Sequence, residues 1–300
     1  MSRNGRRNGV RRYRCPRCGK QSQSARRAGR IEDAIWRDHV WRRQTLAQVA
    51  AERGRSVGWV RARLDSRVAA PKAHRPRRVV VVADVTFWGR ARGVIVFRDP
   101  DAGENLWWEE VTAETVEAYR RGRAEVERLG YEIVGVVIDG RKGVREAFAG
   151  LPAQSCQFHQ VKAVGRHLTR RPKLPAAREL WVLALTLTKS TEESFSSALG
   201  AWHEKWKEFI GERTTDAATG KWFYTHRRIR TAYRSLKSNL PLLFTYRNRP
   251  DLKMPNTTNS LDGSFSHLKG RVGVHRGKKS ARRYAIICEI LNGPSSRFCH

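Results

Sequence analysis

A mixed α/β fold interrupted by a helical insertion is predicted by three observations in this 300-residue chain. Two apolar runs, Val79 to Ala83 and Ile133 to Ile138, each deliver a carboxylate, Asp84 and Asp139, and such β-branched runs read as strands buried on both faces. Two further strand-like runs, Gly93 to Phe97 and Leu106 to Val111, follow the first, with Asp99-Pro100-Asp101-Ala102-Gly103 as the hairpin turn between them. A long, mainly helical segment, residues 161–254, then separates Asp139 from the polar stretch Asn256 to Asp262. Its acid should fall in the first turn of a helix capped near Asn259 or Ser260.

Composition narrows the partner. A formal net charge of +32 and a pI near 11.2 imply strong self-repulsion, which a polyanion would neutralise. Hydrophobic residues at 40% nonetheless provide a core, so the chain is not a disordered polycation. Nucleic acid is the expected partner. A membrane is not, because no apolar run reaches the roughly 18 residues of a spanning helix and no apolar signal segment follows the Arg-rich start. Five scattered cysteines, Cys15, Cys18, Cys156, Cys288 and Cys299, argue against a disulfide framework and for a reducing, cytoplasmic setting.

Residues 1–28 form a basic arm in which Cys15-Pro16-Arg17-Cys18-Gly19-Lys20 has the form of half a zinc knuckle. A closed site needs four ligands, so Zn²⁺ held through Cys15 and Cys18 competes with a solvated arm that touches phosphates. Residues 29–68 have helix-turn-helix spacing. Ile31 and Ile35 start a first helix; Thr45 caps a second, with Leu46, Val49 and Ala50 inward; Gly54 turns; Ser56 caps a third, with Val57, Val60 and Leu64 inward. In such a unit the last helix enters the major groove, which makes Ser56, Trp59, Arg61 and Arg63 the DNA-facing candidates. The alternative is a packing bundle with a wet basic face. Residues 1–78 carry 23 Lys and Arg against 5 Asp and Glu, which favours DNA. Residues 69–78, with Pro71 and Pro76, form a linker.

The core occupies 79–160 and resumes at 255–292, before a tail at 293–300. After the three strands, Val116, Tyr119, Gly122, Val126 and Leu129 recur at helical spacing until Gly130. A short helix near Arg141 to Phe148 follows Asp139. The order strand, strand, strand, helix, strand, with acids ending the first and fourth, is that of the ribonuclease H-like fold. There the fourth strand lies beside the first, so Asp84 and Asp139 would share one metal ion or a pair. In the insertion, Trp202, Trp206 and Trp222 with the basic residues near them are either core or platforms for unpaired bases.

Two acid-ended strands, then Cys156-Gln157-Phe158-His159, then Asn256-Thr257-Thr258-Asn259-Ser260-Leu261-Asp262-Gly263 before a basic helix: this combination resembles the Mutator-like group of bacterial insertion-sequence transposases in the DDE superfamily. The likeness runs from the Cys-x-x-Cys arm to about Leu291. It implies that Asp84, Asp139 and Asp262 are the catalytic acids and hold Mg²⁺ or Mn²⁺, with Asp262 standing where the family usually has Glu. It also implies that Cys156 and His159 position groups near the site, and that the helix from Asp262, with His267, Lys269 and Arg271, holds phosphates. The expected activity is metal-dependent cleavage and strand transfer on double-stranded DNA, at terminal inverted repeats and target, by a dimer or larger assembly associated with the bacterial nucleoid. A DNA-binding protein that has lost catalysis and a structure-specific nuclease are the competing expectations.

Overall fold

The computed structural model describes residues 1–7, 10–23, 26–69, 71–89, 92–141, 143–273 and 279–293, in two units, 1–72 with 266–300 and 73–265. Residue 70 of the expected linker, 274–278 of the basic stretch and the tail from 294, with Cys299, lie outside the described residues.

In the first unit, β1 (Ser2–Arg7), β2 (Val10–Arg14) and β3 (Gln21–Gln23) pair antiparallel in that order. The basic arm is thus a small sheet. Composition concealed it, because arginine and glutamine fill the pleat positions that apolar residues usually mark. The turn joining β2 to β3 is the Cys15–Lys20 knuckle, where the Cys15 amide donates to the Lys20 carbonyl and the Gly19 amide to the Cys15 carbonyl, both at 2.9 Å. Next come α1 (Arg26–Trp36), a π-helical turn (Arg37–Trp41), α2 (Leu46–Glu52) and α3 (Val57–Asp65). Thr45 caps α2 in a reciprocal box with Gln48, and Ser56 accepts from the Trp59 amide to cap α3. Ile35, Trp36, Val40, Val49, Val60 and Leu64 form the buried side of these helices, whereas Ile31 and Val57 are largely exposed.

The second unit is mixed α/β. Strands β4 (Arg78–Phe87), β5 (Gly93–Asp99) and β6 (Glu104–Val111) run antiparallel, while β7 (Glu132–Ile138) and β8 (Ala153–Ser155) add in parallel on the other side of β4. The five-stranded order is β6-β5-β4-β7-β8. Between β6 and β7, α4 (Val116–Arg128) lies on the sheet and buries Tyr119, Gly122 and Val126. A Cβ on Gly122 would come within 2.2 Å of the Phe97 ring, so this close approach of helix to sheet requires glycine. Gly130, at φ +90°, ends the descent from α4. The short helix after Asp139 is a 3₁₀ turn, Val144–Phe148.

A second apolar core belongs to the helices α5 (Gln157–Leu168), α6 (Pro175–Thr186), α7 (Glu192–Gly211) and α8 (Arg227–Leu243), with the short α9 (Thr245–Asn248) after them. The insertion also contains a hairpin, β9 (Arg213–Thr215) and β10 (Trp222–Tyr224). Strands of three residues carry too little periodicity to be read from sequence, which is why β8, β9 and β10 were not expected. Trp202 is buried in the helical core and donates to the Ala176 carbonyl at 3.0 Å, and Trp206 donates to Glu179 at 2.8 Å. Those two indoles are packing groups; Trp222 stays exposed beneath Arg213.

Helix α10 (Asn259–Gly273) leaves the second unit at Phe265, and its remainder with α11 (Ser280–Asn292) belongs to the first. There the buried Arg282 pairs with Asp65 at 2.5 Å.

Candidate active site

Parallel pairing of β4 with β7 sets the site. Ala83 lies opposite Ile138, so Asp84 and Asp139 are the next residues along the two chains; Asp139 directly follows β7, but β4 stays paired with β5 as far as Phe87, so Asp84 lies within its strand and not at the end where it was expected. Asp84 is 8% exposed and its Oδ1 accepts from the Val85 amide at 2.7 Å. Burial lifts its carboxyl to about 7, and the charges of Asp139 and Glu114 add to that rise, against His159 and the Val85 N–H. Removing a carboxylate from water is costly unless a cation or several donors meet it.

The third acid arrives from far along the chain. The loop before α10 is tied to the start of α5 by a set of short bonds. The Gln157 amide donates to the Asn256 carbonyl at 3.0 Å, and the Asn256 side chain donates to Gln157 Oε1 at 2.9 Å. Beside them the buried Thr258 donates its amide to Cys156 Sγ at 3.3 Å, and its hydroxyl lies 3.4 Å from His159 Nδ1. The Thr258 carbonyl then accepts from Leu261 and Asp262, opening the helix one residue before the expected cap. Asp262 therefore sits in the first turn of α10. One ligand atom each from Asp84, His159 and Asp262 lies within 4.8 Å of the others.

Residues 178 positions apart in sequence thus converge as two carboxylates and an imidazole. Asp262 Oδ2 is buried with no hydrogen-bond partner among the described residues. A carboxylate oxygen sealed from water and lacking a donor is what a divalent cation would satisfy, and an oxygen-rich set with one imidazole suits Mg²⁺ less well than Mn²⁺, Zn²⁺ or Fe²⁺. The residues present fit a divalent ion.

Asp139 does not join that trio, although its charge acts on both Asp84 and His159. The sequence reading gave His159 a supporting part, and the structure brings it into the cluster instead. Its hydrogen bond to Cys156, together with the charges of Cys156, Asp139 and Asp84, raises the imidazole to about 9 in spite of burial. Burial pushes the Cys156 thiol up, but hydrogen bonds from His159 and Thr258 outweigh it and leave the thiol below its ordinary value. Cys156 is fully buried and acts as an acceptor that fixes Thr258, and with it Asp262.

Glu114 is a further acid that strand-end reasoning missed. It accepts from Tyr119 at 2.9 Å and from Arg141 at 2.6 Å, and its charge reaches Asp84 and Tyr119. The signal available was its place directly before the Thr115 cap of α4, at the end of the sheet where Asp84 also lies.

The remaining expected site residues lie in the first unit. Ser56 Oγ is taken by its cap bond. Trp59 is half-buried between Arg63, 4.7 Å from its ring, and Arg55, and Arg63 also pairs with Glu32 at 3.6 Å; Arg61 is exposed. His267 and Lys269 are exposed. Arg271 donates to the Val40 and Trp41 carbonyls at 3.0 and 2.6 Å and stacks over Trp41, which gives that guanidinium a structural task at the end of the π-helical turn. Cys15 and Cys18 are both free, and the Cys15 thiol is lowered by amide donation from Cys18 and Arg17. No metal-ligating group of three includes them among the described residues. No described helix is long and apolar enough to cross a membrane.

No family model matches this chain, and no curated protein does. Among solved structures it is similar to the Drosophila P element transposase strand transfer complex, with a TM-score of 0.36 and 12% identity over 92% of this chain and 94% of that one. A likeness of that size supports no assignment, and the functional reading rests on the site.

Proposed function

We propose that this chain is a metal-dependent enzyme that cuts and joins DNA strands, a transposase of the DDE type on a ribonuclease H-like core. The observation that carries this reading is the meeting of Asp84, His159 and Asp262 within 4.8 Å beside Asp139, where Asp84 lies within β4 and Asp139 directly follows β7 in a mixed sheet ordered β6-β5-β4-β7-β8. Numbered within the sheet, that order is third, second, first, fourth, fifth; the fourth beside the first is the expected arrangement, and the fifth, β8, is an addition to it. The net charge of +32 suits a polyanionic substrate.

Asp84, Asp139 and Asp262 would hold Mg²⁺ or Mn²⁺, with His159 as a nitrogen donor. When bound, divalent ions supply activation of water or a 3′-hydroxyl and stabilise the leaving oxygen of a phosphodiester. The protein's own part is placement. The Cys156–Thr258 and Gln157–Asn256 bonds hold the Asp262 turn against the strand ends. His159, which holds a proton tightly in the metal-free protein, would release it on taking up the ion. Tyr119 and Arg141 keep Glu114 directed toward the same region.

The helices of residues 29–68, of which α2 and α3 are capped by Thr45 and Ser56, would serve as the helix-turn-helix that reads terminal inverted repeats, through exposed Arg61 and neighbours, and pairing of two ends would require at least a dimer. The decisive assay is incubation with duplex DNA carrying the repeats that flank the gene, with Mg²⁺ or Mn²⁺. Nicking that depends on metal and disappears in Asp84→Asn supports the reading; nicking that persists in Asp84→Asn refutes it. A DNA-binding protein without catalysis is favoured by one observation, that Asp139 stands outside the trio, and it predicts binding with no nicking in any metal.

A further inference from the structure

A cleft of about 630 Å³ opens beside the acidic cluster, with Asp139 and His159 among the residues that line it. This is a size typical of ligand clefts. One wall is α5, on which Phe158, Lys162 and Arg166 recur every fourth residue and so share a face. Trp181 of α6 faces it: a Cβ on Gly165 would meet that indole ring at 3.2 Å, and the small residue leaves the ring room against α5. Arg170 completes the rim.

Two features of the lining are unusual for packing surfaces. No ion pair among the described residues includes Lys162, Arg166 or Arg170, although many other arginines here have carboxylate partners. Phe158 is 41% exposed, with the Lys162 ammonium 4.2 Å from its ring centroid, so an apolar face is left in water beside a cation. Unpartnered cations in a row attract phosphates, and flat rings between them offer faces for stacking. A duplex would satisfy the cations alone, because its base faces are already stacked on one another.

We propose that this cleft binds an unpaired nucleic-acid strand leading from the carboxylate cluster, with Lys162, Arg166 and Arg170 on the backbone and Phe158 and Trp181 on the bases. The inference rests on the proposed strand-cutting function for its direction, since Asp139 and His159 of the cluster line the same cleft. Its consequence is specific. The enzyme would hold a frayed or single-stranded end beside the cluster more tightly than the same sequence paired.

The test uses the full chain in EDTA, so that no cutting occurs, and a short oligothymidylate carrying one photoreactive 5-iodouracil. Crosslinks should map to the peptides holding Phe158 and Trp181, in the wild type and in Asp84→Asn alike. Combined Lys162→Ala, Arg166→Ala and Arg170→Ala should weaken single-strand binding at least tenfold while changing duplex binding less than twofold. The same variant should flatten the salt dependence of single-strand binding by about 2 in log–log slope, since each backbone contact contributes about 0.7. Phe158→Ala, an exposed change that spares folding, should weaken single-strand binding with no change in that slope. Crosslinks confined to other peptides, or a triple variant that weakens single strand and duplex equally, would overturn the proposal. Crosslinks at Phe158 alongside nicking that survives Asp84→Asn would retain the cleft and discard the catalytic reading; crosslinks elsewhere with nicking lost in Asp84→Asn would do the reverse.

Discussion

Two buried aspartates of one sheet, Asp99 and Asp84, meet opposite fates. Asp99, at the end of β5 and 4% exposed, accepts two bonds from Arg77, at 2.7 and 3.0 Å, and two more from the amides of Asp101 and Ala102. Arg77 also reaches Glu104 at 2.9 Å. Asp84, on β4 and 8% exposed, accepts a single hydrogen bond among the described residues and has acids, Asp139 and Glu114, among its neighbours. Similar burial with unequal satisfaction separates a carboxylate that holds a fold together from one that, in the proposed function, would receive a cation. The price of the second arrangement is instability that a bound ion would remove.

The largest expected difference is in activity. Asp84→Asn and Asp262→Asn should each lower metal-dependent nicking on the order of a thousandfold or more, about 4 kcal/mol of barrier. Asp99→Asn should leave the rate per folded molecule unchanged, which an active-site titration of the purified variants would show.

Stability should divide the other way. Asp99→Ala leaves a partly exposed Arg77 with Glu104 alone and takes the acceptor from the Asp101 and Ala102 amides, and should cost about 2–3 kcal/mol in urea unfolding, below the range for fully buried pairs. Asp84→Asn without metal should be neutral or stabilising at pH 8. A matched loss in both variants would erase the distinction between the two carboxylates.

The pH dependence follows from Asp84. Its folded value of about 7 lies above the ordinary 3.8, so the folded state binds the proton more tightly. That contribution is complete below pH ~4 and is lost as pH rises through about 7, a fall of about 4 kcal/mol as an order of magnitude. His159, raised from 6.5 to about 9, loses its own contribution later, between those values. Thermal melts of the metal-free chain should therefore fall between pH 4 and 7, and Asp84→Asn should remove that limb. Saturating Mn²⁺ at pH 7.5 should raise the wild-type midpoint and leave the variant where it was.

The smallest effect concerns positioning. Thr258→Val removes the hydroxyl contacts to Cys156 and His159 and keeps the amide bond. It should cost about 1 kcal/mol of stability and weaken Mn²⁺ binding on the order of tenfold or more, as loss of an outer-shell bond to a ligating group does. Unchanged Mn²⁺ affinity would show that the Cys156–Thr258 tie packs the loop without placing Asp262.

What could be read from the residues depended on scale. Strands β4 and β7 were legible because Val79 to Ala83 and Ile133 to Ile138 are unbroken apolar runs, and α2 and α3 because Thr45 and Ser56 are strong caps. The β1–β3 sheet was illegible because its strands are mostly arginine, glutamine and other polar residues, with Val10 and Tyr13 the only large apolar or aromatic ones. In the site, Asp84 and Asp262 were expected and meet, but the position of His159 depends on the rotation of α5, which no spacing reveals. Glu114 was hidden because it lies in a loop ahead of its helix cap, where acids are common. Trp202 and Trp206 had two readings in sequence; Trp202 is buried in the helical core, and Trp206 packs half-buried against it with its N–H on Glu179.

The central claim is that Asp84, His159 and Asp262 together form a cation site. Mn²⁺ titration followed by electron paramagnetic resonance, on the wild type and on Asp262→Asn, tests it most directly. The wild type should bind Mn²⁺, and Asp262→Asn should weaken that binding on the order of a hundredfold while its far-UV circular dichroism stays unchanged. Equal Mn²⁺ affinity in the two proteins would contradict the account.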